Sequence, residues 1–336
     1  MVGCREHRLR VRRPADCGVA FLGTVGGMAD AVRAWLPWED PDQFLGGVPD
    51  GYEVEYFEDG EPPASVDRVE LYVPPYMSGP AMYAVIKDMP ALKVVQTQTA
   101  GYEHMLPYLG DGVTLCNARG VHDASTAELA VTLILSTYRE IPRAVRDADR
   151  QVWPPYDGFQ DSLADRTVLI VGYGSIGEAL ERRLDGFECE VLRVARRPRP
   201  GVSPVAELPE LLPQADVVVI LTPATEETRG MVDKSFLGRM KDGALLVNVA
   251  RGTVVDTDAL VSELESGRLR AGLDVTEPEP LPAGHPLWSA PNVLITPHRG
   301  GATTAFAPRI ARLVKAQLQR YVAGEPLVNV VAGPER

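Results

Sequence analysis

Residues 167–184 read TVLIVGYGSIGEALERRL, and this stretch decides the fold. It begins with an apolar run that predicts a buried strand and ends with a pattern typical of a helix. Between them, Gly172, Gly174 and Gly177 form the spacing GxGxxG. Gly172 permits a sharp turn, Gly174 lets the backbone approach a pyrophosphate, and Gly177 lets the helix pack closely on the strand. The start of that helix would offer free N–H groups to the phosphates, so the stretch predicts a dinucleotide site.

Strands and helices are predicted on both sides of this turn, and they alternate along the chain. Strands are predicted at 19–23, 52–57, 69–73, 92–97, 112–117, 189–195, 216–222, 243–249, 270–275 and 293–297. Helices are predicted at 81–89, 123–145, 256–267 and 307–324. The strands are continuous apolar runs, as in a parallel sheet that is covered on both faces. The sequence therefore predicts an α/β fold with two doubly wound parallel-sheet domains.

The longest predicted helix carries a start signal. Asp123, Ser125 or Thr126 can cap it, and Glu128 follows Ser125 at the spacing of a capping box. The stretch WPPYDGFQD at 153–161 is rich in proline, glycine and aromatic residues, so it predicts a loop after the helix.

Length, charge and cysteine content limit the class of protein. A chain of 336 residues suggests about two domains. A net charge of −12 argues against binding to nucleic acid or to an anionic membrane surface. No apolar run approaches the ~20 residues that span a bilayer. The four cysteines lie far apart without CxxC spacing, so we expect no metal site, reduced thiols and a cytoplasmic location.

The first residues form an arginine-rich segment. Residues 1–13 contain five arginines and lack the apolar core of a secretory signal. An organellar transit peptide would also be rich in arginine, but it should be rich in serine and poor in acidic residues. A disordered tail over residues 1–16 is the preferred prediction.

The stretch VARRPRP at 194–200 bears on the choice of cofactor. In dinucleotide-binding folds, an acidic residue about 20 positions after the first glycine accepts hydrogen bonds from the adenosine ribose 2′-OH. Ala195 stands in that place, and Arg196 and Arg197 follow it. A 2′-phosphate would meet no carboxylate there, and the two guanidinium groups could clamp it. The pattern predicts NADP(H) in preference to NAD(H), although two solvated arginines at an indifferent site remain an alternative.

Several separated motifs, in order along the chain, resemble those of the D-isomer-specific 2-hydroxyacid dehydrogenase family, which includes glyoxylate/hydroxypyruvate reductases. They are TAGYEHM (99–105), VGYGSIG (171–177), TPATEETRGMV (222–232), LLVNVARGTVVD (245–256), GLDVTEPEPLP (272–282) and LITPHRGGAT (294–303). The resemblance covers residues 90–330. It implies an NAD(P)-dependent oxidoreductase that acts on the CH–OH group of a small 2-hydroxy acid.

The family also implies a catalytic arginine, glutamate and histidine, which fall on Arg251, Glu279 and His298. These residue types suit reduction of a 2-oxo acid. The forked guanidinium of Arg251 can hold the carboxylate and polarise the carbonyl group. His298 can give a proton to the carbonyl oxygen, and Glu279 would orient the imidazole ring and stabilise its protonated form.

Further site residues follow from the same resemblance. The cofactor would contact the glycine turn and the ends of later strands: Gly172, Tyr173, Gly174, Ser175, Ile176, Gly177, Arg196, Arg197, Thr222, Pro223, Val249, Ala250 and Asp274. The substrate would contact Ala100, Gly101, Tyr76, Arg251 and His298. Met77 and the region near Trp288 are candidates for side-chain selectivity. The other histidines (7, 104, 122 and 285) are interpreted as structural or surface groups, and the role of Arg299 is open.

The family's architecture implies two domains with the active site in the cleft between them. A discontinuous, flavodoxin-like substrate domain would comprise residues 17–121 and 306–336. A Rossmann-type cofactor domain would comprise residues 122–305, and family members typically form homodimers through it.

Other functions remain open at this point. Some relatives are NAD(H)-sensing corepressors, which are binding proteins more than metabolic enzymes. Phosphite-oxidising relatives are a further alternative. Relatives of the formate dehydrogenase type carry glutamine where Glu279 stands, because their reaction needs no proton transfer. The identity of the 2-hydroxy acid cannot be read from the sequence.

Overall fold

Two β-sheets with helices on their faces make up residues 31–334, the part of the chain that this computed structural model describes. The predicted tail at 1–16 and the predicted strand at 19–23 lie outside the described residues. From Val32 onward the chain forms one compact unit. Within the described residues, no helix has the length and apolar content needed to span a membrane.

The strands, in chain order, are β1 (Val32–Leu36), β2 (Tyr52–Tyr56), β3 (Leu71–Tyr72), β4 (Val94–Gln96), β5 (Thr114–Cys116), β6 (Thr167–Val171), β7 (Glu190–Ala195), β8 (Ser203–Pro204), β9 (Val217–Ile220), β10 (Leu245–Asn248), β11 (Arg270–Leu273), β12 (Val293–Ile295) and β13 (Val330–Ala332). The α-helices are α1 (Pro41–Leu45), α2 (Pro80–Ala84), α3 (Asp123–Tyr138), α4 (Ile141–Asp149), α5 (Ser175–Leu184), α6 (Leu208–Leu211), α7 (Lys234–Arg239), α8 (Thr257–Glu265) and α9 (Phe306–Ala323).

The first sheet has the strand order β13-β5-β4-β3-β1-β2. Five of its strands are parallel, and β13 pairs with β5 in the antiparallel direction. Successive side chains of a strand point to opposite faces, so Leu36 and Trp35 of β1 enter different apolar clusters. Helix α9 covers one face with Ile310, Val314 and Leu318, which are fully buried at the spacing of one helix face.

The second sheet has the order β12-β11-β10-β9-β6-β7-β8, and every pair is parallel. Helix α3 packs on one face so closely that a Cβ on Gly272 would lie 3.0 Å from the Cβ of Leu133. The chain runs from β6 out to β7 and β8, and then returns to β9 on the other side of β6. This reversal leaves a crevice beyond the carboxyl end of β6. The predicted α/β class with a Rossmann-type sheet is confirmed.

The long helix predicted at 123–145 is wrong in its continuity. It is two helices, α3 and α4, separated by Glu140 in the left-handed conformation with φ 49°. Pro142 lies at the start of α4, where the missing N–H does no harm, but a continuous helix would lack a hydrogen bond there.

The predicted cap of α3 is also wrong. The residue before the helix is His122, and no side chain caps it. The Asp123 carboxylate instead accepts a hydrogen bond from the backbone of Gly120, at 3.3 Å. The Ser125 hydroxyl pairs with that of Thr303 at 2.7 Å. A local contact with the preceding loop and a tertiary contact thus replace the capping box.

Strands β1, β8 and β13 do not appear in the sequence prediction. Two are only two or three residues long, and β1 lies in the segment VRAWL, whose polar and apolar residues give no continuous apolar run. The antiparallel β13 adds to a sheet that was expected to be wholly parallel. The domain boundaries at 121/122 and 305/306 stay a prediction, and α3 packs in the core of the second sheet while α9 packs in that of the first.

Candidate active site

A cavity of about 990 Å³ lies beyond the carboxyl ends of strands from both sheets. The loops that follow β4, β6, β7, β9, β10 and β11 all contribute to it, because parallel strands end at the same edge of a sheet. All of the predicted site residues line this cavity except Gly177 and Glu279. The structure therefore gathers residues that are up to 222 positions apart, from Tyr76 to His298, around one space.

The glycine turn has the geometry that its spacing predicts. Gly172 has φ +102°, and a Cβ there would lie 2.6 Å from the carbonyl carbon of Leu221. A Cβ on Gly177 would press on the ring of Tyr173 at 3.1 Å, because α5 packs closely on β6. Gly174, in contrast, has no neighbour within 4 Å of its Cβ position, so the turn is open on the side of the cavity.

Arg196 and Arg197 follow the end of β7 and are exposed at the wall of the cavity. Neither side chain makes a hydrogen bond or an ion pair with the residues that the structure describes. A hydrogen bond with Thr225 and the charge of Arg196 lower the pKa of Glu227, which lines the same wall. Arg199, by comparison, is engaged, since it donates to the carbonyl oxygen of Tyr173 at 3.1 Å. Two guanidinium groups thus remain available to a ligand.

His298 and Glu279 form a hydrogen-bonded pair. The Nδ1 atom of His298 lies 2.6 Å from Oε1 of Glu279. A carboxylate only accepts, so Nδ1–H donates and Nε2 is left free on the ring that lines the cavity. Glu279 does not line the cavity itself, and it contacts the site through the histidine.

Asp274 holds the backbone that carries His298. Its buried carboxylate accepts hydrogen bonds from the backbone N–H groups of Arg299 (2.7 Å) and Gly300 (2.8 Å), and from the Thr296 hydroxyl (2.6 Å). Its carbonyl oxygen accepts from the N–H of His298 at 2.8 Å. His298 adopts φ 51°, a strained conformation for a residue other than glycine. The hydrogen bonds around Asp274 oppose that strain.

Arg251 contacts the opposite wall of the cavity. Its Nη1 atom donates to the carbonyl oxygen of Ala250 at 2.7 Å, and its Nη2 atom lies 3.9 Å from Oε2 of Glu103. A Cβ on Gly101 would overlap the present position of the guanidinium group, so the flexible end of Arg251 would have to move. The Asn117 amide donates to the carbonyl oxygen of Ala100 at 2.7 Å and fixes this loop.

The residues around the glycine turn fit a dinucleotide. The Thr222 hydroxyl is buried without a hydrogen-bond partner among the described residues, and it lies on the cavity wall, where a ribose or a phosphate could satisfy it. Pro223, Val249 and Ala250 line the same part of the cavity. In residues 31–334, no group of three His, Cys, Asp or Glu side chains is placed to hold a metal ion.

Two histidines that were interpreted as structural or surface groups, His104 and His122, line the cavity, and that interpretation stays a prediction. His122 is buried beside the rings of Tyr76 and Phe306, which also contact each other, and its Nε2 donates to the carbonyl oxygen of Gln98 at 2.9 Å. Burial lowers the pKa of His122, and burial likewise lowers that of His104. His104 lies within the motif TAGYEHM, whereas the place of His122 at the cavity depends on contacts with distant segments.

Three further residues discussed in the sequence analysis, Trp288, Arg299 and His285, are not part of the cavity lining. Trp288 is 56% exposed, and its indole N–H donates to the carbonyl oxygen of Pro282 at 3.0 Å. Arg299 joins the site only through its backbone N–H, and its side chain is exposed. His285 caps a short 3₁₀ turn through Nδ1, which accepts from the N–H of Leu287. His7 lies outside the described residues.

Comparison with known proteins gives consistent matches. Residues 131–300 match the sequence profile described as D-isomer specific 2-hydroxyacid dehydrogenase, NAD binding domain. The chain is 36% identical over 250 residues to human glyoxylate reductase/hydroxypyruvate reductase, which covers 70% of this chain and 76% of the relative. It is 32% identical over 319 residues to the chloroplastic/mitochondrial formate dehydrogenase of Arabidopsis thaliana, which covers 91% of this chain and 81% of the relative.

A solved structure also matches most of the chain. It is the crystal structure of an NADPH-dependent glyoxylate/hydroxypyruvate reductase from Sinorhizobium meliloti in complex with NADP and malonate. The TM-score is 0.74 at 27% sequence identity, and the match covers 90% of this chain and 97% of the other.

Alanine substitutions should separate the roles of two glycines in the turn. Gly172→Ala forces a methyl group against the backbone of Leu221 at positive φ, so we expect the free energy of unfolding to fall by about 1–3 kcal/mol. Gly174→Ala should change it by less than about 0.5 kcal/mol, yet weaken binding of the nicotinamide cofactor, because its methyl group faces the cavity. Urea unfolding and calorimetric titration measure the two effects. Equal stability of both variants would contradict the close packing at Gly172.

Proposed function

The chain belongs to the D-isomer-specific 2-hydroxyacid dehydrogenase family, and we propose that it reduces a small 2-oxo acid, such as glyoxylate or hydroxypyruvate, with NADPH. As a member of the family, it is an oxidoreductase that acts on the CH–OH group of donors with a nicotinamide cofactor. The observation that carries the proposal is that Arg251 and the His298–Glu279 pair share one cavity with the glycine turn.

The cofactor-binding residues and the catalytic residues have separate tasks. A bound nicotinamide supplies the hydride. Arg251 holds the substrate carboxylate through its fork, and the Ala100–Gly101 backbone borders the same space. In reduction, the imidazolium form of His298 gives its Nε2 proton to the carbonyl oxygen and is left as the neutral ring, which Glu279 keeps oriented through Nδ1–H. The acid–base pair therefore explains how the alkoxide that forms on hydride addition is neutralised.

The same pair favours this reaction over that of the formate dehydrogenase relatives. Those relatives are expected to carry glutamine at the position of Glu279, because formate oxidation needs no proton transfer to an alkoxide. Here a carboxylate stands 2.6 Å from the ring nitrogen of His298. A corepressor-like binding protein would have no use for a proton donor in the cavity. Turnover of 2-oxo acids distinguishes these cases.

Support for NADP(H) comes from the end of β7. Ala195 places no carboxylate beside the ribose, and Arg196 and Arg197 are exposed at the cavity without a hydrogen bond or an ion pair among the described residues. The Sinorhizobium meliloti reductase is described as NADPH-dependent and was crystallised with NADP. We therefore propose NADPH as the preferred reductant.

Substitution of the proton donor should reduce turnover. We expect His298→Ala to lower kcat for glyoxylate by about 10²–10⁴-fold, the range for a lost general acid, with little change in NADPH affinity. Arg251→Lys keeps the charge but loses the fork, so kcat/KM should fall strongly while stability changes little. Steady-state kinetics and cofactor titration measure these effects. Arg299→Ala is a matched control, since its side chain points to solvent next to His298. Wild-type turnover in His298→Ala would remove this residue from the mechanism.

The preference for NADPH over NADH should depend on residues 195–197, in the stretch VARRPRP. Hydrogen bonds to charged groups contribute about 1.5–3 kcal/mol each, so Arg196→Ala or Arg197→Ala should weaken NADPH by about 10–100-fold and leave NADH nearly unchanged. Ala195→Asp should do the opposite, because the carboxylate accepts from a ribose hydroxyl and repels a 2′-phosphate. KM for both cofactors in the three variants is the measurement. Parallel losses for NADH and NADPH would show that the arginines are solvated and that the site is indifferent.

A homodimer is part of the same proposal. The segment that begins with α4 exposes large apolar and aromatic side chains, with Trp153 96%, Tyr156 78% and Phe159 99% exposed. Such a patch is costly in water and typical of an interface. It belongs to the region predicted as the cofactor domain, through which family members pair, so we propose a second copy of this chain as its partner.

Disruption of this patch should weaken the dimer. We expect the double variant Trp153→Ser/Phe159→Ser to sediment as a monomer at concentrations where the wild type is a dimer, measured by analytical ultracentrifugation. Trp288→Ser is a control at an exposed tryptophan on another surface. An unchanged dimer in the double variant would place the interface elsewhere.

The cytoplasmic location is proposed on the cysteines. Within the described residues, Cys116 and Cys189 are free thiols, as expected in a reducing compartment. Cell fractionation with an antibody against the chain tests it, and enrichment in an oxidising compartment would contradict it.

A further inference from the structure

A second cavity, of about 490 Å³, lies apart from the glycine turn and is lined by arginines. We call it the arginine groove, and its charged residues are Arg119, Asp123, Arg182, Arg183, Arg309 and Arg312. Its volume falls within the range of about 300–1,000 Å³ that is usual for small-molecule sites. Such sites are mostly apolar, whereas here guanidinium groups dominate the lining.

The positive charge of the groove is mostly uncompensated. Arg183 pairs with Glu128 at 2.9 Å, but the other four arginines have no side-chain hydrogen bond or ion pair among residues 31–334. The one acidic residue in the lining, Asp123, accepts a hydrogen bond from the Gly120 backbone. Like charges in one concave space repel each other and focus a positive potential. This concentration is unexpected in a chain with a net charge of −12.

The groove lies where the chain crosses between the two sheets. Arg119 and Asp123 belong to the first crossing, from β5 to α3, and Arg309 and Arg312 lie on α9, directly after the second crossing. Arg182 comes from α5, the helix that follows the glycine turn. Arg119 also lines the larger cavity, so the two spaces share a wall.

We propose that the arginine groove binds a small metabolite that carries a diphosphate or two phosphate groups. Guanidinium groups match phosphate oxygens with paired hydrogen bonds, and several of them from different elements can hold a multiply charged anion. A concave groove of this size in an acidic chain fits a small anion and not a nucleic acid. Binding would link α5, α9 and the first crossing, and would thereby restrict the relative motion of the two sheets. The site is separate from the cofactor cavity and does not rest on the proposed reaction.

Inorganic pyrophosphate is a suitable probe, and the experiment must first fill the cofactor cavity. We would titrate pyrophosphate into the full-length protein saturated with NADPH, by calorimetry at constant ionic strength. One saturable site is expected, with orthophosphate binding at least about tenfold more weakly because it offers one group instead of two. The double variant Arg309→Ala/Arg312→Ala should weaken pyrophosphate by about tenfold or more.

Two further variants keep the test decisive. Arg239→Ala removes an exposed arginine from the end of α7, away from the groove, and should bind as the wild type does. Arg312→Glu reverses one charge on the exposed face of α9, and should abolish binding with an unchanged circular dichroism spectrum. The proposal is overturned if saturation with NADPH eliminates the pyrophosphate site, if no saturable binding occurs, or if the double variant binds like Arg239→Ala.

Discussion

Parallel pairing on both sides of β6 determines where everything in the cleft lies. The chain reaches β7 through α5, which packs on one face of the sheet, and reaches β9 through α6, which packs on the other face. Because β7 and β9 lie on opposite sides of β6, this reversal leaves the carboxyl end of β6 open as a crevice. Gly172 and Gly174 stand at that uncovered point. The loops after β9, β10 and β11 end at the same edge, which brings Thr222, Arg251 and Asp274 within reach of one ligand.

The buried carboxylate of Asp274 fixes the backbone on both sides of His298. It accepts from two backbone N–H groups and one hydroxyl, so its burial carries no unpaired oxygen. The backbone that it holds is the one that places His298 in the left-handed region. The resemblance implies that Asp274 contacts the cofactor. The structure adds a positioning contribution, since the same carboxylate also fixes the segment next to the imidazole.

Local patterns predicted most of the second sheet and the glycine turn. The strands around 167–297 are apolar runs bounded by turns, and GxGxxG depends on residues within six positions, so neither needs distant contacts to be recognised. The prediction failed where contacts between distant segments determine the local structure. Ser125 pairs with Thr303 instead of capping α3, β13 exists only because β5 pairs with it, and His122 reaches the cavity through contacts with Tyr76 and Phe306. Arg251, Glu279 and His298 could be named only through a resemblance, because no spacing rule brings them together.

The close approach of Gly101 and Arg251 has a consequence for how such a cleft can evolve. Gly101 and Arg251 lie in loops of different sheets, and a side chain at position 101 would displace the end of Arg251 from its present position. Substitutions at such a pair are expected to be non-additive, since each alters the space available to the second. New substrate preferences would then arise at other positions of the cavity wall. Tyr76 and Met77 are examples, because they border the cavity but are not part of the close approach between Gly101 and Arg251. Substitution at position 101 is thus expected to alter how Arg251 is placed, whereas the other residues of this wall can vary more independently.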